Sequence, residues 1–169
     1  TGTIFDLASC SKAVSTATSV MILLQEGKIR LLDPVKFYLP EFKNWEDGKP
    51  DEETIRIVNL LTHTSGLPPY APVEELKKKY GAPNPEGLME YISTCKRDTA
   101  PAREMSYSCL NYITLQHIIE KISGESLKDF AKEHIFEPLG MKYTCYQPGK
   151  ELLPLIAPTE KQKDGSVLW

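Results

Sequence analysis

Apolar residues in this chain recur three and four positions apart and seldom alternate, so the polypeptide is committed to packed helices more than to a sheet. Val14, Ala17, Met21 and Leu24 predict a first helix from Ser9 to Glu26 with Gly27 as its stop. Val20, Ile22 and Leu23 widen that stripe until the helix has to be covered on several sides. Asp33 and Pro34 start a short turn of helix that Pro40 ends. Ile55, Val58 and Leu61 predict a helix from Thr54 to Thr62, stopped by His63-Thr64-Ser65-Gly66 with Pro68 and Pro69 beyond. The proline-rich stretch from Gly66 to Gly87 reads as surface loops around an amphipathic helix from Val73 to Tyr80. Asn84-Pro85-Glu86 carries the cap, the first-position proline and the acidic first turn of the next helix, with Leu88, Ile92 and Cys95 on its buried face. After a polar loop from Lys96 to Glu104, Tyr112, Leu115, Ile119 and Ile122 repeat at helical spacing up to Gly124. Ser126 and Asp129 then open a last helix through Phe136, closed by Pro138 and Gly140. Strand signals are confined to Lys28 to Leu32 and Val167 to Trp169, too little for a complete hydrolase sheet. The fold class expected is mainly α, in one domain spanning residues 1–169.

With 169 residues, 41% of them apolar and 25% charged, the chain is long enough to bury a core of its own. Its net charge of -3 excludes the basic field that holds nucleic acid or an anionic membrane. Lys77-Lys78-Lys79 reads as a solvated helix face. The longest apolar run, Val20 to Leu24, falls far short of the roughly 20 residues that span a bilayer. Cys10, Cys95, Cys109 and Cys145 are too widely spaced for a dense disulfide framework or a paired zinc motif, and read as packing cysteines. His63, His117 and His134 are isolated from one another, so no metal and no cofactor is expected. Thr1-Gly2-Thr3 leads straight into an apolar segment, as though cut within a longer protein.

Ser9 and Lys12 carry the chemistry. Three residues apart at a helix start, they share one face, and the unpaired N–H groups there favour negative charge. A serine hydroxyl is a weak nucleophile until a base takes its proton, and a lysine serves only while its amine is neutral. Spacing alone is weak evidence: Ser93 and Lys96 repeat it, and a capping serine beside a surface lysine explains either pair.

Four segments taken in order resemble the serine β-lactamase and penicillin-binding-protein superfamily, on its class C and esterase-like branch. They are Phe5-Asp6-Leu7-Ala8-Ser9-x-x-Lys12, Leu60-Leu61-Thr62-His63-Thr64-Ser65-Gly66-Leu67, Tyr107-Ser108, and Ile135-Phe136-Glu137-Pro138-Leu139-Gly140-Met141. The resemblance runs from Thr3 to Glu160. It implies a helical subdomain of the β-lactamase/transpeptidase-like α+β fold, with most of the antiparallel sheet absent from this chain. It also implies acyl transfer to water through a serine ester, with a β-lactam, a D-alanyl peptide or a small ester as substrate, in a periplasmic or extracellular setting. Carried over by position, Ser9 would be the nucleophile, Lys12 its activating amine, Tyr107 the second general base, and the Ser9 N–H one oxyanion donor. A tyrosine works as a base only where a cation holds its phenolate, and Lys12 is the available one.

Two departures from the family pattern matter. Cys109 stands where the family has asparagine, and a thiol is a poor substitute for an amide that donates and accepts. If it faces substrate, binding is weaker, Asn111 takes part of the task, or activity is altered; otherwise Cys109 serves packing alone. The family's third motif, a strand that lines the site, has no equivalent here. The isolated chain is therefore expected to be a poor catalyst or none, needing the missing sheet portion of its parent as partner. The competing reading is a non-catalytic binding module that keeps the family fold. His63 reads as a turn residue, and Trp45, Tyr70 and Tyr80 as patches on a loop-rich surface or edges of a substrate groove.

Overall fold

A computed structural model describes residues 2–45, 54–161 and 167–168, the last two through their backbone. Two compact units divide the chain: residues 1–19 with 126–169, and residues 20–125.

In the first unit, the leading segment is stapled to the far end of the chain. Ile4 N–H donates to Leu155 O and Ala157 N–H to Ile4 O, each at 2.8 Å, forming a parallel bridge between Ile4 and Ile156. The chain then turns sharply and winds as a π-helix over Lys12–Ala17 before tightening into α1, Thr18–Gln25. The wider π turn lets Thr18 Oγ1 reach back to Ala13 O (3.0 Å). Ser126 caps α6 (Leu127–Ala131) by accepting Asp129 N–H at 3.1 Å, the expected capping pair. α6 passes into a second π segment, Lys132–Phe136, and Leu127, Phe130, Ala131, Ile135, Phe136 and Ile156 form the buried core of this unit. Two-residue strands β1 (Glu160–Lys161) and β2 (Val167–Leu168) pair antiparallel, and are the only regular strands among the described residues.

The second unit is built on α5, Cys109–Ser123, whose Leu110, Leu115, Ile118 and Ile119 are buried. Gly27 ends α1 as expected: at φ +69° it lets Gly27 N–H reach Leu24 O (3.0 Å) and Lys28 N–H reach Leu23 O (2.9 Å). Lys28 to Leu32 is irregular where a strand was expected. Its backbone is used instead by the helix stop and by Val58 N–H, which donates to Leu31 O at 2.9 Å. α2 covers Ile57–Leu61, starting later than Thr54 because Ile55 O accepts Val35 N–H (2.9 Å) and Arg56 bridges Pro34 in extended form. α3 spans Val73–Tyr80, and α4 spans Pro85–Thr94 with Asn84 Oδ1 accepting Gly87 N–H at 2.6 Å. The core gathers Leu23, Ile29, Leu39, Phe42, Leu60 and Ile92, all at most 1% exposed.

The polar loop from Lys96 to Glu104 contains one buried exception. Arg97 is 2% exposed and donates to Cys95 O (2.6 Å), Lys43 O (2.6 Å) and Ile92 O (3.0 Å), with its guanidinium 4.6 Å from the Phe42 ring centroid. It ties the end of α4 to the segment around Lys43, ahead of α2. Beside it, burial pushes the Cys95 thiol pKa up from its usual value. Cys10 and Cys145 are exposed, so packing does not account for those two cysteines. No helix among the described residues is long and apolar enough to cross a membrane.

Candidate active site

Ser9 sits on an exposed corner made by local hydrogen bonds. Asp6 Oδ1 accepts Ala8 N–H (2.8 Å), Cys10 N–H donates to Leu7 O (2.9 Å), and Ser11 Oγ donates to Ala8 O (2.6 Å). Closing so tight a turn forces Ala8 into the left-handed region at φ +43°, a conformation costing a side chain about 1–2 kcal/mol. Strain of this kind clusters at active sites, ligand clamps and switch regions. The turn places Ser9 one step ahead of the helix, and Lys12 on its first turn donates through Nζ to Ser9 Oγ at 3.2 Å. The second S-x-x-K pair meets a different fate: Ser93 is buried near the end of α4, and Lys96 is exposed beyond the C-cap Cys95. What separates the two pairs is the helix end on which each falls, which spacing does not encode.

A cleft of about 670 Å³ lies in the same unit, lined by residues 2–8, Ser11, Val14, Ser15, Phe136, residues 143–148 and Ile156. Ser9 and Lys12 are not on its wall. Its helical wall presents Ser11, Val14, Ser15 and Phe136, and Phe5 and Leu7 on the leading segment are 68% and 43% exposed.

Tyr107 and Cys109 belong to the second unit. Their segment is clamped to the turn after α2 by hydrogen bonds that span more than thirty residues of sequence. Ser108 Oγ donates to Pro68 O (2.6 Å), Cys109 N–H to Pro69 O (3.1 Å), Ala102 N–H to Thr64 O (2.8 Å) and Asp98 N–H to Gly66 O (2.7 Å). Gly66, at φ +77°, lies so close to Thr99 O that a Cβ would collide with that carbonyl. Ser108 also accepts Leu110 N–H at 3.2 Å, capping α5 and leaving Tyr107 42% exposed just ahead of the helix. Cys109 is the half-buried first residue of α5.

Asn111 does not take over from Cys109. It is fully buried: its Oδ1 accepts the Ser65 hydroxyl and its Nδ2 lies 3.2 Å from His63 Nδ1. His63 itself rests at φ +57° as a turn residue, with Tyr107 and Tyr112 against its ring. Sequence reasoning identified the turn and overlooked those ring contacts; the periodic signal that finds helices says nothing of which loop a turn residue meets. Of the aromatic residues expected at a surface, Tyr70 is 69% exposed and Trp45 and Tyr80 are half-buried. The Tyr80 ring packs on Gly87, where α3 meets α4.

The family model described as beta-lactamase matches residues 1–167. An N-acetylmuramyl-L-alanine amidase of Bacillus subtilis (strain 168) is 32% identical over 88% of this chain and 34% of its own length. A "Putative D-alanyl-D-alanine carboxypeptidase" of Salmonella agona (strain SL483) is 32% identical over 95% of this chain and 38% of its own. Among solved structures, a class C beta-lactamase superposes with a TM-score of 0.77 at 25% identity, covering 99% of this chain and 43% of that one. The chain thus spans little more than a third of the length of the two curated relatives.

Proposed function

Because the chain belongs to the beta-lactamase family, whose relatives here are hydrolases, we propose that it supplies the nucleophile of a serine hydrolase acting through an acyl-enzyme on an amide or ester. The observation that carries this reading is the Lys12 Nζ to Ser9 Oγ contact on a strained, exposed corner at a helix start. In the first step Ser9 Oγ attacks the carbonyl carbon while its proton passes to neutral Lys12, and the oxyanion that forms faces the Ser9 N–H. Tyr107 is the second general base, and carries the proton to the leaving group. Water then cleaves the ester to free Ser9.

The names of the relatives favour a D-alanyl peptide or related cell-wall amide as substrate, with a β-lactam or small ester as alternatives. Residues 1–169 form the helical region of this hydrolase, and the sheet that completes the site belongs to the parent protein. The exposed Phe5 and Leu7 and the apolar cleft beside them give that sheet a surface to cover. On its own the chain is a poor catalyst or none.

Cys109 supports a second reading, a binding module that keeps the fold without turnover, since Asn111 is committed elsewhere. A panel of a D-alanyl-D-alanine peptide, a chromogenic cephalosporin and p-nitrophenyl esters, assayed with the whole protein, separates the two. Hydrolysis abolished by Ser9→Ala supports the enzyme. Binding without turnover, with Cys109→Asn equally inert, supports the module.

A further inference from the structure

The peptide around Tyr107 is held on both sides by one residue. His63 O accepts Ser106 N–H at 2.9 Å, and His63 Nδ1 accepts Ser108 N–H at 3.2 Å. Between those two bonds the imidazole lies against the Tyr107 ring, with centroids 4.4 Å apart and planes tilted by 36°. The Tyr112 ring is 5.2 Å from the same imidazole and sends its hydroxyl to Leu61 O (3.1 Å).

The ring's own state is dictated by its partners. A backbone N–H can only donate, so Nδ1 is the acceptor, and Asn111 Nδ2 donates to it as well. Asn111 is held one way round, because an Nδ1 that accepts Ser108 N–H can face only its amide nitrogen; that leaves Oδ1 for the Ser65 hydroxyl, whose oxygen accepts Leu67 N–H at 3.1 Å. His63 is therefore held neutral with its proton on Nε2, joined to a buried chain running through Leu67, Ser65 and Asn111.

We infer that His63 is a positioning residue for Tyr107, fixing the peptide on each side of the tyrosine and the plane of its phenol ring. The inference rests on the reading of Tyr107 as the second general base. A base must lie within hydrogen-bond reach of the proton it moves, so whatever fixes the peptide and ring plane of Tyr107 bears on its rate.

Two variants divide the contributions of His63. His63→Phe keeps a ring against Tyr107 and removes the acceptor; His63→Asn keeps an acceptor near the Nδ1 position and suits the left-handed backbone. In the whole protein acting on p-nitrophenyl acetate, His63→Phe should lower kcat by about tenfold to a hundredfold with KM little changed, and His63→Asn should recover most of the loss. In a Tyr107→Phe background the His63→Phe loss should vanish; losses that multiply independently overturn the inference. Tyr107→Phe with unchanged kcat refutes the base assignment instead. Positioning is read separately: the 13C ring signals of Tyr107 should move in His63→Phe, and signals that stay put overturn it whatever Tyr107 does in catalysis. Should His63→Phe not fold, 15N spectra of the wild-type protein decide, since a protonated Nδ1 contradicts the geometry without any variant.

Discussion

Ser9 and Tyr107 both precede a helix, yet the two corners are made in opposite ways. The Ser9 corner is local and exposed: its bonds join residues two or three apart, and it holds Ala8 in a strained backbone. The Tyr107 corner is non-local: its bonds reach across more than thirty residues and involve the buried side chains Ser65, Ser108 and Asn111. A local turn is specified by a few neighbouring residues, so it can carry strain and chemistry at once. A corner tied by distant loops gets its geometry from the fold, and is lost with any buried partner.

That contrast can be broken or sharpened by substitution. Ser9→Ala should remove the nucleophile and lower turnover by at least about 10³-fold while leaving the melting temperature within a few degrees. A variant that melts far lower would show that the corner is not local. Asn111→Leu should do the reverse in kind, costing about 2–3 kcal/mol by chemical denaturation, because Ser65 loses a buried acceptor. A cost near zero would deny the buried chain its role. Asp6→Ala, which removes the carboxylate that holds Ala8 N–H, should cost only about 0.5–1 kcal/mol, since water reaches that bond. The smallest effect is alkaline. Burial and then the hydrogen bond to Asp33 push the Tyr38 hydroxyl from 10.0 up to about 12. The folded state thus holds that proton more tightly than the unfolded chain, so its contribution is full below pH 10 and fades towards 12. Burial raises Tyr91 as well, so ultraviolet difference titration should show late tyrosines, with the component near pH 12 lost in Tyr38→Phe.

Much of the helix pattern was legible because its signals are local. Val73–Tyr80, the Asn84 cap, the Ser126 cap and the stop at Gly27 each depend on residues within one or two turns. Local periodicity misled where distant partners took over the backbone. Lys28 to Leu32 has strand-like residues, but Leu31 O serves Val58, Lys28 N–H the helix stop, and Arg30 a turn with Asp33. Arg97 looked like loop polarity and is buried, because carbonyls of residues 43, 92 and 95 happen to converge on it. The Ser9 and Lys12 pair was readable as a motif, though what separates it from Ser93 and Lys96 is its place at a helix start. Nothing near His63 in sequence indicated that its ring would meet Tyr107, forty-four positions on.

A serine hydrolase built on this corner is acylated on Ser9. The direct measurement is mass spectrometry of the whole protein after reaction with a fluorophosphonate or a penicillin, with peptides mapped across residues 1–26. One covalent adduct is expected on Ser9, absent from Ser9→Ala. A stoichiometric adduct on any other residue, or catalytic turnover that survives Ser9→Ala, would contradict it.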